Sequence, residues 1–137
     1  MSWLDDAQKH AQAAVQAQHA YQQSLKLKAA ELDGMVTKNL RKLGEVTWAR
    51  RGAPEMDSYL NGEQFCWRAR SPLESSMGNP PCDYYIVVLA PEQTAQGLEW
   101  QFSAAEVQGT EPANEEGLLA LLQRYHARGP HYANRRW

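Results

Sequence analysis

The sequence predicts an α+β fold: a long N-terminal helix, possible bend near Gly34, a four-stranded antiparallel meander sheet, and a C-terminal helix packed on the sheet. Three observations predict it. Residues 3–43 carry apolar side chains at helical spacing with no proline among them. Four runs between residues 45 and 104 alternate with period two. A second leucine-rich helical pattern follows over residues 114–128 and stops at Gly129-Pro130. The 137 residues form one expected domain, divided into a helical segment 1–43, a sheet 44–109, a helix 113–129 and a basic tail 130–137.

The first helix is rich in Ala, Gln, Lys and Leu. Ser2 offers an N-cap hydroxyl, and Asp5 and Asp6 suit the positive end of the helix dipole. Lys38, Arg41 and Lys42 suit the negative end, and Gly44 is a natural stop. Leu4, Ala7, Ala11, Ala14, Gln18, Tyr21, Leu25, Lys28, Leu32 and Met35 follow alternating steps of three and four. This heptad-like seam is interrupted by Gln18 and Lys28. Its first half is alanine-rich, which permits close helix approach but buries little area per residue. Past Gly34 the stripe moves onto Val36, Leu40 and Leu43, so Gly34 is the expected break point.

Geometry makes this helix informative. About 40 helical residues extend roughly 60 Å, whereas a strand spans only about 17–20 Å. One small sheet cannot cover the whole stripe. Either the helix breaks near Gly34, or its N-terminal half projects and needs a partner surface. A homodimer is the expected state, with Leu4, Ala11, Ala14, Tyr21, Leu25 and Leu32 as the self-association residues.

The sheet is read as follows. Glu45–Arg51 alternates Val46, Trp48 and Arg50 against Thr47, Ala49 and Arg51. Ala53–Gly62, with Pro54, Asn61 and Gly62, reads as a loop. Gln64–Arg70 puts Phe65, Trp67 and Ala69 on one face, with Cys66, Arg68 and Arg70 on the other. Ser71–Cys82 holds three prolines and reads as an irregular loop. Tyr84–Ala90 is apolar on both faces, as a central strand is. Pro91–Gly97 closes a hairpin into Leu98–Ala104, whose Leu98, Trp100 and Phe102 should point inward. Gly109–Ala113 is a connector, and Leu118, Leu119, Leu122, Tyr125 and Leu121 of the last helix should face the core.

Net charge is −2, so no global field draws nucleic acid or an anionic membrane. Residues 44–123 carry twelve acids and four bases, while the last fourteen residues carry Arg124, Arg128, Arg135 and Arg136 and no acid. The N-terminus MSWLDDAQKH lacks the basic-then-apolar order of a signal peptide. The longest apolar run, Tyr84–Ala90, is far short of the roughly 20 residues of a membrane span. Two cysteines make no disulfide framework, so a reducing cytoplasm is the expected compartment.

No segment reaches the specificity of a catalytic, metal or nucleotide motif. Fifteen residues separate Cys66 from Cys82, without the close ligand pairs that structural zinc requires. His10 and His19 fall on nearly opposite sides of a helix. Arg68 and Arg70 beside Cys66 could lower a thiol pKa, with His126 or His131 as base, but a structural thiol is the simpler reading. Glu115-Glu116 and Asp5-Asp6 are explained by helix dipoles, and Gly78-Asn79 is too little for a phosphate loop.

These observations lead to a non-enzymatic interaction or assembly protein, homodimeric through the first helix, with a possible protein partner and no cofactor. Two alternatives stay open. A ligand-binding or enzymatic pocket between helix and sheet would use Trp67, Tyr85, Trp100 and Arg68. A nucleic-acid surface would use Arg50, Arg51, Arg68 and Arg70 with Trp48 and Trp67, plus the tail residues Arg135, Arg136 and Trp137. The acidic surroundings weigh against nucleic acid.

Overall fold

A computed structural model describes residues 3–72 and 83–132. Cys82, Gly78-Asn79, most of the loop Ser71–Cys82, and the tail residues Arg135, Arg136 and Trp137 lie outside the described residues. The elements run α1 (Trp3–Thr47), β1 (Glu55–Asn61), β2 (Gln64–Arg70), β3 (Asp83–Thr94), β4 (Gly97–Ala104), β5 (Val107–Pro112), α2 (Glu115–Arg128) and β6 (His131–Tyr132). The fold is α+β, with a long N-terminal helix, an antiparallel sheet and a C-terminal helix.

α1 is unbroken over 45 residues, about 68 Å. It passes straight through Gly34, where a side chain would meet open space. It also passes through Gly44, the expected stop. Gly44 is buried against Pro54, and a Cβ there would lie 2.9 Å from the proline ring. This glycine permits close packing, and the helix ends later, in the turn where Arg51 N–H donates to Trp48 C=O at 2.8 Å. The expected strand Glu45–Arg51 is therefore helix end and turn. Its alternation is produced by Trp48, which is 3% exposed and packs on Tyr85 at 5.5 Å, while Val46 faces outward.

The meander has five strands, not four, in the order β1-β2-β3-β4-β5. The first strand is Glu55–Asn61, inside the segment expected to be a loop. Pro54 stands just before it, and Gly62, at φ 62°, turns the chain into β2 with Asn61 opposite Gln64. β5 replaces the expected connector at Gly109–Ala113. The sheet thus spans Glu55–Pro112, where residues 44–109 were expected. β3 is central and longer than Tyr84–Ala90, with Pro91 inside the strand. His131–Tyr132, assigned to the tail by sequence, pairs with Asp83–Tyr84.

Both helices lie on one face, α1 against β2 and β3, α2 against β4 and β5. Leu25, Ala29, Leu32, Val36, Leu40 and Leu43 of α1 pack into one cluster with the sheet and α2. Trp67, Tyr85, Val87, Leu89 and Phe102 rise from the sheet, and Leu118, Leu121, Leu122 and Tyr125 come from α2. The Trp67 indole donates to Asp33 Oδ1 at 3.0 Å, and Tyr85 Oη bonds Thr47 Oγ1 at 2.9 Å. Two expected core positions are outside it. Leu98 is 69% exposed at the far end of the β3–β4 hairpin, and Leu119 is 41% exposed on the outer side of α2. Asn114 caps α2 by accepting from Gly117 N–H at 2.7 Å, and Gly129, at φ 92°, closes it.

Leu40, fully buried, should be among the costliest positions to truncate. Leu40→Ala should lower unfolding free energy by about 2–5 kcal/mol in chemical denaturation. Replacing Leu25 and Leu32 together with Glu should abolish cooperative unfolding, because both sit in the chain's own core.

Candidate functional site

Among the described residues, three surfaces combine exposure with chemistry: the sheet face that no described helix covers, the projecting half of α1, and a groove between the two helices.

On the uncovered face, antiparallel register lines up side chains across three strands. Glu55, Arg70 and Tyr84 form one row; Asp57, Arg68 and Ile86 a second; Tyr59, Cys66 and Val88 a third. Arg68 donates from Nε to Asp57 Oδ1 at 2.9 Å and from its second arm to Oδ2. Its guanidinium also lies 5.3 Å over the Tyr59 ring. Arg70 pairs with Glu55 at 3.4 Å. Both arginines are therefore matched by acids one strand away. The Arg68 hydrogen bond holds the Asp57 carboxyl below its ordinary range.

Beside these rows runs a groove of about 360 Å³, lined by Tyr59, Cys66, Tyr84, Ile86, Val88 and His131, among others. Burial pushes the Cys66 thiol up, so at neutral pH it is a thiol, not a thiolate. Burial and the nearby Arg128 push His131 down, leaving a neutral imidazole. His131 Nδ1 lies 3.6 Å from Glu106, which also pairs with Arg128. Cys66 faces Val88, and His131 pairs beside Tyr84, four residues further along β3. That separation is about 13 Å along the strand, too far for a thiol–imidazole pair. His126 is on the opposite, helical side. Among the described residues, no three His, Cys, Asp or Glu side chains cluster as metal ligands.

The residues expected to form one ligand or partner face divide between two. Arg68 and Arg70 are on the uncovered face. Trp67 and Tyr85 are on the helix-covered face, 1% and 0% exposed, and Trp100 packs against that core half-buried. Trp67 and Tyr85 fill the space between helix and sheet. Sequence reasoning missed Tyr59, because its segment lacked a recognised strand; His131 was weighed only as a base for Cys66 and was placed in a tail rather than in a strand.

The expected self-association residues also divide. Leu25 and Leu32 are 0% and 8% exposed, consumed by the chain's own core. Tyr21 marks the boundary: its hydroxyl donates to Glu63 C=O at 2.6 Å. Ahead of it, residues 3–20 are all exposed, including Leu4, Ala11 and Ala14. Trp3 is 79% exposed and Val15 67%. This half of α1 extends about 27 Å beyond its last contact with the body. No helix of the described residues is long and apolar enough to cross a membrane.

Between the C-terminal half of α1 and α2 lies the third surface, an apolar groove of about 390 Å³. Leu43 and Leu122 form its floor, Val46 and Leu119 its walls, and Lys42 and His126 stand at its rim.

The chain matches no protein-family model, no curated protein and no solved structure.

The Arg68–Asp57 pair sets a pH dependence. A carboxyl whose folded pKa lies below its ordinary 3.8 adds stability above that value and loses it as pH falls through the folded pKa. Unfolding titrations from about pH 5 down to about pH 2 should therefore show a stability loss that Asp57→Asn reduces. Cys66 should react slowly with a disulfide reagent at neutral pH and quickly once the chain is unfolded.

Proposed function

We propose that this chain is a non-enzymatic protein–protein interaction or assembly module that works as a homodimer through its N-terminal helix. One observation carries the reading: the apolar stripe buried from Leu25 to Leu43 continues past the body as an exposed stripe over residues 3–20. The docked half already supplies the helix nucleus, so the projecting half can be helical without a partner. What a partner relieves is the exposure of Trp3, Leu4 and Val15. Ala7, Ala11, Ala14 and Ala17 favour another helix as that partner, because small side chains let helix axes approach closely. A second copy presents the same face and needs no further assumption. Presentation of the assembled dimer to another protein fits the same reading, as does a reducing cytoplasm for the buried free thiol of Cys66.

The ligand-binding alternative moves to the uncovered face, where the groove along Cys66, Ile86 and Val88 supports it. The nucleic-acid alternative is weakened by the pairing of Arg68 and Arg70 with Asp57 and Glu55. It would require oligonucleotide binding that falls steeply with salt.

Sedimentation over a concentration series should give a species of twice the 15.5 kDa chain mass. Ala7→Glu and Ala14→Glu, both at exposed helical positions, should raise its dissociation constant at least about tenfold while leaving unfolding unchanged. A wild-type chain that sediments as a monomer at every concentration would remove the dimer reading.

A further inference from the structure

Among the described residues, two apolar surfaces are uncovered on the helical side: the projecting half of α1 and the groove between α1 and α2. We infer that each is the seat of the other, so that residues 3–20 of one chain lie antiparallel in the α1–α2 groove of a second copy. This rests on the dimer reading above and adds the seat and the register.

Length is the first argument. α1 spans residues 3–47 and is held by its own body only from Tyr21 onward. A two-fold axis beside Ser24 and Leu25 sets residues 3–20 of each copy alongside residues 29–46 of the other. The projecting half then covers the outer side of the docked half, in both directions at once. The two bodies lie at opposite ends of the helix pair. Trp3 falls opposite Val46 of the second copy.

Shape is the second. Val46 is 66% exposed and Leu119 41%, both on the groove walls. Trp3, Ala7, Ala14, Ala17 and Tyr21 share one face of the projecting helix by their three-and-four spacing. The alanines let that helix sit deep between α1 and α2, and the Trp3 ring fills the end of the groove. A tip-to-tip pairing of residues 3–20 with each other would leave Val46 and Leu119 in water.

Charge is the third. α1 and α2 both bring their C-terminal ends to this groove, and the last turn of α1 carries no basic residue. An antiparallel helix delivers its positive N-terminal end there. It also delivers Asp6, at the edge of the seated face, to a rim that carries Lys42 and His126. With the axis beside Ser24 and Leu25, Asp6 comes next to Lys42.

Val46→Glu and Leu119→Glu, made separately, test the seat by sedimentation. Both side chains are exposed within one chain, so folding is retained and thermal unfolding checks it. Each should raise the dissociation constant at least about tenfold, since a charge would enter a buried contact. Asp6→Lys and Lys42→Glu should each weaken association several-fold, and mixing the two variants should restore it, because opposite charges face each other again in the mixed dimer. A wild-type dimer that Ala14→Glu dissociates, but that both Val46→Glu and Leu119→Glu leave unchanged, would overturn this seat while sparing the dimer. So would failure of the mixed variants to recover. A monomeric wild-type chain would overturn both.

Discussion

The structure depends on a mismatch between one helix and the sheet beneath it. β2 and β3 offer a limited apolar surface, and α1 is far longer than that surface. Only the stripe from Leu25 to Leu43 can be buried against Trp67, Tyr85, Val87 and Leu89. Burial of that stripe supplies most of what α1 contributes to stability. It also provides a formed helical turn from which residues 3–20 extend without a fresh nucleation cost. The projecting rod is thus a consequence of the core, continuous with the part that is packed.

The two sheet faces have been given different chemistry by strand alternation. On the helix side the aromatic residues interlock: Tyr85 meets Tyr125 edge-on at 4.7 Å, and Trp67 meets Phe102 at 6.2 Å. Tyr125 Oη in this core accepts from Ile86 N–H at 3.0 Å, whereas the buried Trp48 indole N–H has no partner among the described residues. On the other side, arginines alternate with a thiol and are neutralised by acids on the neighbouring strand. Among the described residues, each of these arginines is thus paired with an acid. The remaining character of that face is a groove of aromatic and aliphatic side chains with polar groups, Glu106 among them, at its margins.

The helical side carries the clearer directionality. α2 and the packed half of α1 run in the same sense across the sheet, since α1 meets it at the β1–β2 turn, at the same end as the β3–β4 hairpin from which α2 sets out, and both finish near the β4–β5 turn. Their dipoles therefore add at one end of the molecule. Arg128 and His126 offset this for α2, whereas α1 ends on Thr47 without a basic side chain in its last turn. An antiparallel third helix is the arrangement that such a pair favours electrostatically.

The sequence alone determined the class of fold, the long first helix, β2, the core of β3, β4 and the capped second helix. In each case a local period or a stop residue carried the signal, as with Gly129 and the alternation around Trp67. It also determined that the first helix is too long for a small sheet, because that follows from rise per residue. Only the tertiary structure decided how the mismatch resolves. Gly34 and Gly44 read as breaks, yet a continuous apolar stripe and the close approach of Pro54 override the local preference of glycine. Trp48 imitated a strand residue because its burial against Tyr85 comes from a turn, not from a pleat. β1 and β5 were concealed by glycine, proline and polar residues, since edge strands of a meander bury only part of one face and need little hydrophobic signal. The division of the seam at Tyr21 was likewise beyond local pattern: equal spacing marks both halves, and only the position of the sheet's end determines which half is covered.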